Sequence, residues 1–131
     1  MWKSGQIEIT TTPYAHPILP LIFDTNLAAV GDIGAELPTN RFNKPTDAAV
    51  QVEKGLDVAE RLLGQRPTGM WPAEGAISQE VLGMFSKEGI KWIATGEHVL
   101  AKSLEIPSFK RNTSGIVTNP EILYTPWYGQ L

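Results

Sequence analysis

Three short clusters hold the side chains of this sequence best placed for polar chemistry. Pro13-Tyr14-Ala15-His16-Pro17 supplies a phenol and an imidazole. Trp71-Pro72-Ala73-Glu74-Gly75 supplies an indole and a carboxylate, and Thr95-Gly96-Glu97-His98 a second carboxylate and imidazole. Glu74 is the most informative of these groups, because it follows a strand-like stretch and precedes a helix-like one. An ionised carboxylate at such a junction suits nucleophilic attack on an anomeric carbon or stabilisation of an oxocarbenium-like transition state. It equally suits capping of the following helix or pairing with a base, and spacing alone leaves both open. His16 can bond a sugar hydroxyl or tie down its own loop. Trp71 can stack on a sugar ring face, and so can Trp92, although its strand position favours burial. Tyr14 and Trp127 are undecided on spacing.

Other chemistries find little support. The two histidines, His16 and His98, are far apart and form no HxH, HxxxH or HExxH pattern, so no metal site is expected. There is no GxSxG elbow, no GxGxxG and no P-loop after any strand, which leaves no nucleotide or other cofactor indicated. Cysteine is absent, which removes disulfides and thiolate chemistry.

These clusters need elements to position them. Residues 7–12 are β-branched and alternating and read as a strand closed by Pro13. Residues 14–42 read as a long connection with a short helix near 25–29, and a connection of that length is usually functional. A helix is expected over 47–63, with Thr46 as N-cap, Gly64 as C-cap glycine, and Ala49, Val52, Leu56, Ala59 and Leu63 as its core stripe. A second strand is expected at 68–72 and a tight turn at 73–76. Ser78 should cap a helix that runs to about residue 88, and a third strand follows at 90–95. A short helix over 97–103, an irregular stretch over 107–119 and a last strand at 122–125 complete the order. Strands alternating with amphipathic helices imply an α/β fold with parallel strands and crossover helices. In such sheets the three clusters fall at the C-terminal strand ends, where active groups gather.

With 131 residues, 42% hydrophobic and 19% charged, the chain has the composition of one globular domain. Its net charge is −3 and its eleven Lys and Arg are scattered, so nucleic acid is not an expected partner. No stretch is long and apolar enough for a membrane span, and no secretory h-region opens the chain. A cytoplasmic location is the expectation.

Taken together, the residues resemble a family. Gln6-Ile7-Glu8-Ile9-Thr10-Thr11-Thr12-Pro13-Tyr14-Ala15-His16-Pro17-Ile18-Leu19 is similar to the second conserved region of family 57 glycoside hydrolases, in the amylopullulanase-like and related branches. Gly69-Met70-Trp71-Pro72-Ala73-Glu74-Gly75-Ala76-Ile77-Ser78 resembles the third, whose glutamate is the nucleophile, and residues 89–100 look like the strand and loop that follow. The resemblance implies a (β/α)7 barrel, here one partial domain over 1–131, and retaining action on α-glucans or maltooligosaccharides. It implies Glu74 as nucleophile, with His16, Tyr14, Trp71 and Glu97 as substrate-binding residues. In the family the general acid is an aspartate of a later region. Asp24, Asp32, Glu97 and Glu121 match no such position, so the isolated chain is expected to lack turnover and to offer open barrel edges for self-association. A non-catalytic sugar-binding or structural remnant is the competing expectation, and a metal-dependent deacetylase a distant third.

Overall fold

The computed structural model describes residues 1–129 and falls into two compact units, Met1–Ala94 and a second one beginning at Thr95. The first unit is organised around α3, Pro45–Leu63. Pro45 takes the first helical position, where its missing N–H costs nothing, so Lys44 occupies the cap position and Thr46 lies inside the first turn rather than capping it. Gly64 closes the helix in the left-handed conformation at φ 76, its N–H reaching Glu60 O at 2.7 Å. Val52, Leu56 and Ala59 are buried as the stripe predicts. Ala48 and Gly55 join them, whereas Leu63 is exposed.

The long connection is more ordered than its prolines indicate. It contains α1 (Leu19–Phe23), a 3-10 turn at Thr25–Leu27 and α2 (Ala28–Gly31). Pro20 reads in the sequence as a break in an apolar stretch. It lies in the first turn of α1, where a proline displaces no helical hydrogen bond. α1 buries Leu19 and Pro20 and packs on α3 and on α4, Gln79–Lys87. Lys44 N–H reaches Ile22 O at 3.0 Å and Thr25 N–H reaches Phe42 O at 2.9 Å, so the two limbs of the excursion are tied at its base.

Asp24 locks that base. Its side chain is nearly buried, accepts the Asn26 N–H at 3.0 Å, and is gripped by Nε and Nη2 of Arg41. The Arg41 guanidinium, helped by the Asn26 amide, holds the carboxyl below its usual 3.8, at about 2. A depressed folded-state value means that the contribution to stability is complete above the unfolded value and disappears as pH falls from about 4 to about 2. Urea midpoints of the wild type and Asp24→Asn should therefore differ by a constant amount near neutral pH and converge across that window. A gap independent of pH down to about 2 would contradict the assignment.

The sheet is parallel. β1 (Gly69–Met70) pairs with β2 (Trp92–Ile93) in the register Gly69↔Trp92 and Met70↔Ile93, and Thr11 makes a parallel bridge to Met70. The strand expected over 7–12 is thus reduced to Thr11, whose N–H reaches Gly69 O at 3.4 Å and whose carbonyl accepts Trp71 N–H at 2.8 Å. Its partner β1 lies between Pro67 and Pro72, which have no N–H to extend a ladder. α3 and α4 are the crossovers between successive parallel segments. Ser78 caps α4 as predicted, its Oγ accepting Val81 N–H at 3.4 Å. Leu19, Val52, Leu56, Met70, Val81 and Phe85 form the core beneath the sheet.

Trp92 departs from its expected burial. It is 41% exposed, its indole N–H donates to Glu8 Oε1 at 2.8 Å, and the ring covers Gly69 so closely that a Cβ there would collide with it. Glu8 Oε1 also accepts Thr68 Oγ1–H at 2.8 Å, and these bonds, Trp92 first, hold the carboxyl below its usual range. The cluster stands at the N-terminal end of the parallel segments.

In the second unit, α5 (Glu97–Ser103) buries Ala101 against Phe109 and Val117. The stretch expected to be irregular contains an antiparallel bridge, Arg111↔Val117, across a turn in which Asn112 Oδ1 accepts the Ser114 and Ile116 amides at 2.9 and 3.0 Å. The last expected strand is instead a helical turn, α6 (Pro120–Leu123), because Pro120 presets the first helical φ. Trp127 donates its indole N–H to Ile122 O at 2.9 Å.

Candidate active site

The segments carrying Thr11 and Met70 lie side by side and parallel, so the chain leaves both at the same end, through the buried prolines 13 and 72. Each then turns sharply. After Pro13, His16 N–H reaches back to Pro13 O at 2.9 Å with His16 at φ 55. After Pro72, residues Ala73–Gly75 form a 3-10 turn, closed by Gly75 N–H on Pro72 O at 2.8 Å, with Glu74 at φ 56. Two non-glycine residues thus occupy the left-handed region, which is uncommon for either. Both turns aim their side chains at one point: His16 Nε2 lies 3.1 Å from Glu74 Oε1, and His16 Nδ1 lies 3.3 Å from Thr12 Oγ1. The side chains of His16 and Glu74 are 50% and 68% exposed, so the pair meets solvent directly.

α3 fixes the first turn. Gln51 accepts Tyr14 N–H on its backbone oxygen and Ala15 N–H on its side-chain Oε1, both at 2.9 Å. Gly55, one turn on, lets the Thr12–Tyr14 backbone lie directly against the helix. Gln51 and Thr12 were not singled out by sequence. Thr12 has a faint signal, its four-residue spacing from His16, but nothing local marks Gln51, which acts across a separation of 36 residues.

The predicted residues distribute as follows. His16 and Glu74 are brought into contact. Ser78 caps α4, so Glu74 is not that helix's cap, whereas its pairing with a base is realised through His16. Tyr14 and Trp71, 58% and 42% exposed, stand beside them in sequence, and Lys54 Nζ stands 5.9 Å from the Tyr14 ring centre. Glu97 lies in the second unit, where Arg111 grips both its oxygens, at 2.8 and 2.5 Å, and holds the carboxyl below its usual range. A cleft of about 310 Å³ there is lined by Glu97, His98, Lys102 and Phe109, and one of about 320 Å³ lies between residues 10–14 and α3. Among the described residues no group of three or more His, Asp or Glu is disposed to hold a metal ion.

The left-handed conformation of Glu74 has a measurable consequence. A non-glycine residue there costs roughly 1 kcal/mol that glycine avoids. Glu74→Gly should therefore raise unfolding stability by about 1 kcal/mol while deleting the carboxylate. Chemical denaturation measures it, and a loss of stability would mean that the His16 contact outweighs the strain.

The model of one protein family, Glycosyl hydrolase family 57, matches residues 1–131, the whole of this chain. No curated protein and no solved structure matches it.

Proposed function

We propose, because the chain belongs to glycosyl hydrolase family 57, that it carries the nucleophile half of a retaining site for α-glucans, with Glu74 as the nucleophile. One observation carries the reading: Glu74 stands at the C-terminal end of a parallel segment with one carboxylate oxygen bonded to His16 and its side chain open to solvent. In the double displacement, Glu74 attacks the anomeric carbon from the face opposite the leaving oxygen. The C1–O bond breaks with its electron pair, and a partner carboxyl about 5–5.5 Å away protonates the departing oxygen. That partner then deprotonates the water that cleaves the glycosyl ester. Tyr14 and Trp71 supply exposed ring faces for sugar, and His16 a donor beside the reacting carbon.

The partner acid is unassigned in this chain. Asp24 is held by Arg41, Glu97 by Arg111, and Glu8 by Thr68 and Trp92. We read these parallel segments as part of a (β/α)7 barrel. The edge beside Thr10, Thr11 and Thr12, flanked by exposed Leu62 and Leu63 of α3, would be the face by which it associates with another chain. No cofactor enters the reading.

Pure protein incubated with amylopectin or maltooligosaccharides is expected to release no reducing sugar above a protein-free control. Clear turnover would sink the claim that the acid is missing. Maltooligosaccharide binding weakened by Trp71→Ala or Tyr14→Ala would support the aromatic subsite, and unchanged affinity in both variants would remove it.

A further inference from the structure

The imidazole of His16 lies between two oxygens, and those oxygens are not chemically equivalent. Glu74, when ionised, can only accept hydrogen bonds, so the Nε2 facing it at 3.1 Å must carry a proton. A neutral imidazole has one N–H, which leaves Nδ1 as an acceptor toward the Thr12 Oγ1 at 3.3 Å. A threonine hydroxyl can donate there, and a carboxylate in its place could not. The order of donors is therefore fixed from Thr12 to His16 to Glu74. We infer that Thr12 is a positioning residue: its hydroxyl donates to Nδ1 and holds the ring, in the tautomer that Glu74 selects, so that Nε2–H clasps Oε1 of Glu74 and leaves Oε2 as the attacking oxygen.

The backbone supports this assignment. Thr11 is bridged to Met70 and Tyr14 N–H is held by Gln51 O, so Thr12 sits between two anchored residues and its side chain has little freedom to turn away. Clasping one oxygen restricts rotation of an otherwise exposed carboxylate, which reduces the ordering required at the moment of attack. The functional part of the inference rests on Glu74 being the nucleophile. The tautomer itself does not.

The experiment is nitrogen-15 NMR of the two imidazoles in the full chain at a pH where they are neutral. The wild type should show His16 protonated on Nε2 alone. Thr12→Val keeps the shape and removes the hydroxyl. With the ring no longer held at Nδ1 its contact with Glu74 should loosen, so the His16 nitrogen shifts should move toward the tautomer mixture of free histidine, and Thr12→Ser should restore the wild-type pattern. A wild-type ring protonated on Nδ1, or Thr12→Val spectra that coincide with wild type, would overturn the assignment. If Thr12→Val does not fold, as judged by its backbone amide spectrum, the wild-type tautomer and the Thr12→Ser and Thr12→Ala spectra decide the same question. The wild-type pattern with no glycosyl attachment at Glu74 would sink the nucleophile reading and leave the tautomer assignment standing.

Discussion

Offered α-maltosyl fluoride, the 131-residue chain should gain one maltosyl group on Glu74 and retain it. Fluoride is a leaving group that departs without protonation, so this substrate needs no general acid and tests the nucleophile alone. Oε2 of Glu74 forms the ester bond to C1 as the C1–F bond breaks with its electron pair. The next step needs a base to activate water, the second task of the same partner carboxyl. The adduct should therefore persist, and intact-mass measurement would detect it. Peptide mapping should locate it between Ala73 and Ala76. Glu74→Gln removes the anionic oxygen and should slow labelling by roughly 10³-fold or more, the scale of losing a covalent nucleophile. Equal labelling of that variant, or attachment at another carboxylate, would refute the assignment. Absence of any adduct at millimolar fluoride would favour the sugar-binding remnant. His16→Ala should slow labelling far less, because it releases the carboxylate without removing it.

How much of this was legible in the sequence depends on the range of the interaction concerned. α3 and α4 were readable because their determinants are local: Pro45 and Gly64 bound the first, Ser78 opens the second, and apolar residues recur at helical spacing. The parallel order of segments was readable from the alternation of elements. The extent of the strands was not, because a ladder needs donors on both sides, and prolines 67 and 72 limit β1 from within the partner sequence. Local alternation over 7–12 carries no knowledge of that. Trp92 was misjudged for a related reason. Its place on an alternating strand argued for burial, but an indole N–H needs a partner, and the partner is Glu8, 84 residues away. At the candidate site, Glu74 was visible by residue type and place. Its bond to His16 spans 58 residues and exists because two left-handed turns face each other, which no periodicity encodes. Glu97 illustrates the converse: its type, its place after a strand and the family resemblance put it among the site residues, while the guanidinium that grips it lies beyond the local window.

The dependence of the site on α3 can be tested with one substitution made at two helical glycines. Glycine inside a helix is less favourable than alanine by about 1 kcal/mol, so alanine should ordinarily stabilise. At Gly83 in α4 a Cβ would meet nothing within 4 Å, and Gly83→Ala should raise stability by up to about 1 kcal/mol. At Gly55 in α3 the same Cβ would lie 2.5 Å from the carbonyl oxygen of Thr12 and 3.2 Å from the amide nitrogen of Tyr14. That backbone cannot readily withdraw, because Thr11 is bridged to Met70 and Tyr14 N–H is bonded to Gln51 O. Overpacking of this kind costs about 1–3 kcal/mol, which exceeds the helix-propensity gain. Gly55→Ala should therefore destabilise by about 1–2 kcal/mol while Gly83→Ala stabilises, a difference of sign from identical chemistry. The displaced segment also carries Thr12 and His16, so Gly55→Ala should lengthen the His16–Glu74 contact and reduce glycosyl labelling, and Gly83→Ala should leave labelling unchanged. Denaturation curves and the fluoride reaction on both variants measure this. If Gly55→Ala were as stabilising as Gly83→Ala, the strand segment would not be seated against α3, and the turn that presents His16 would have lost its support.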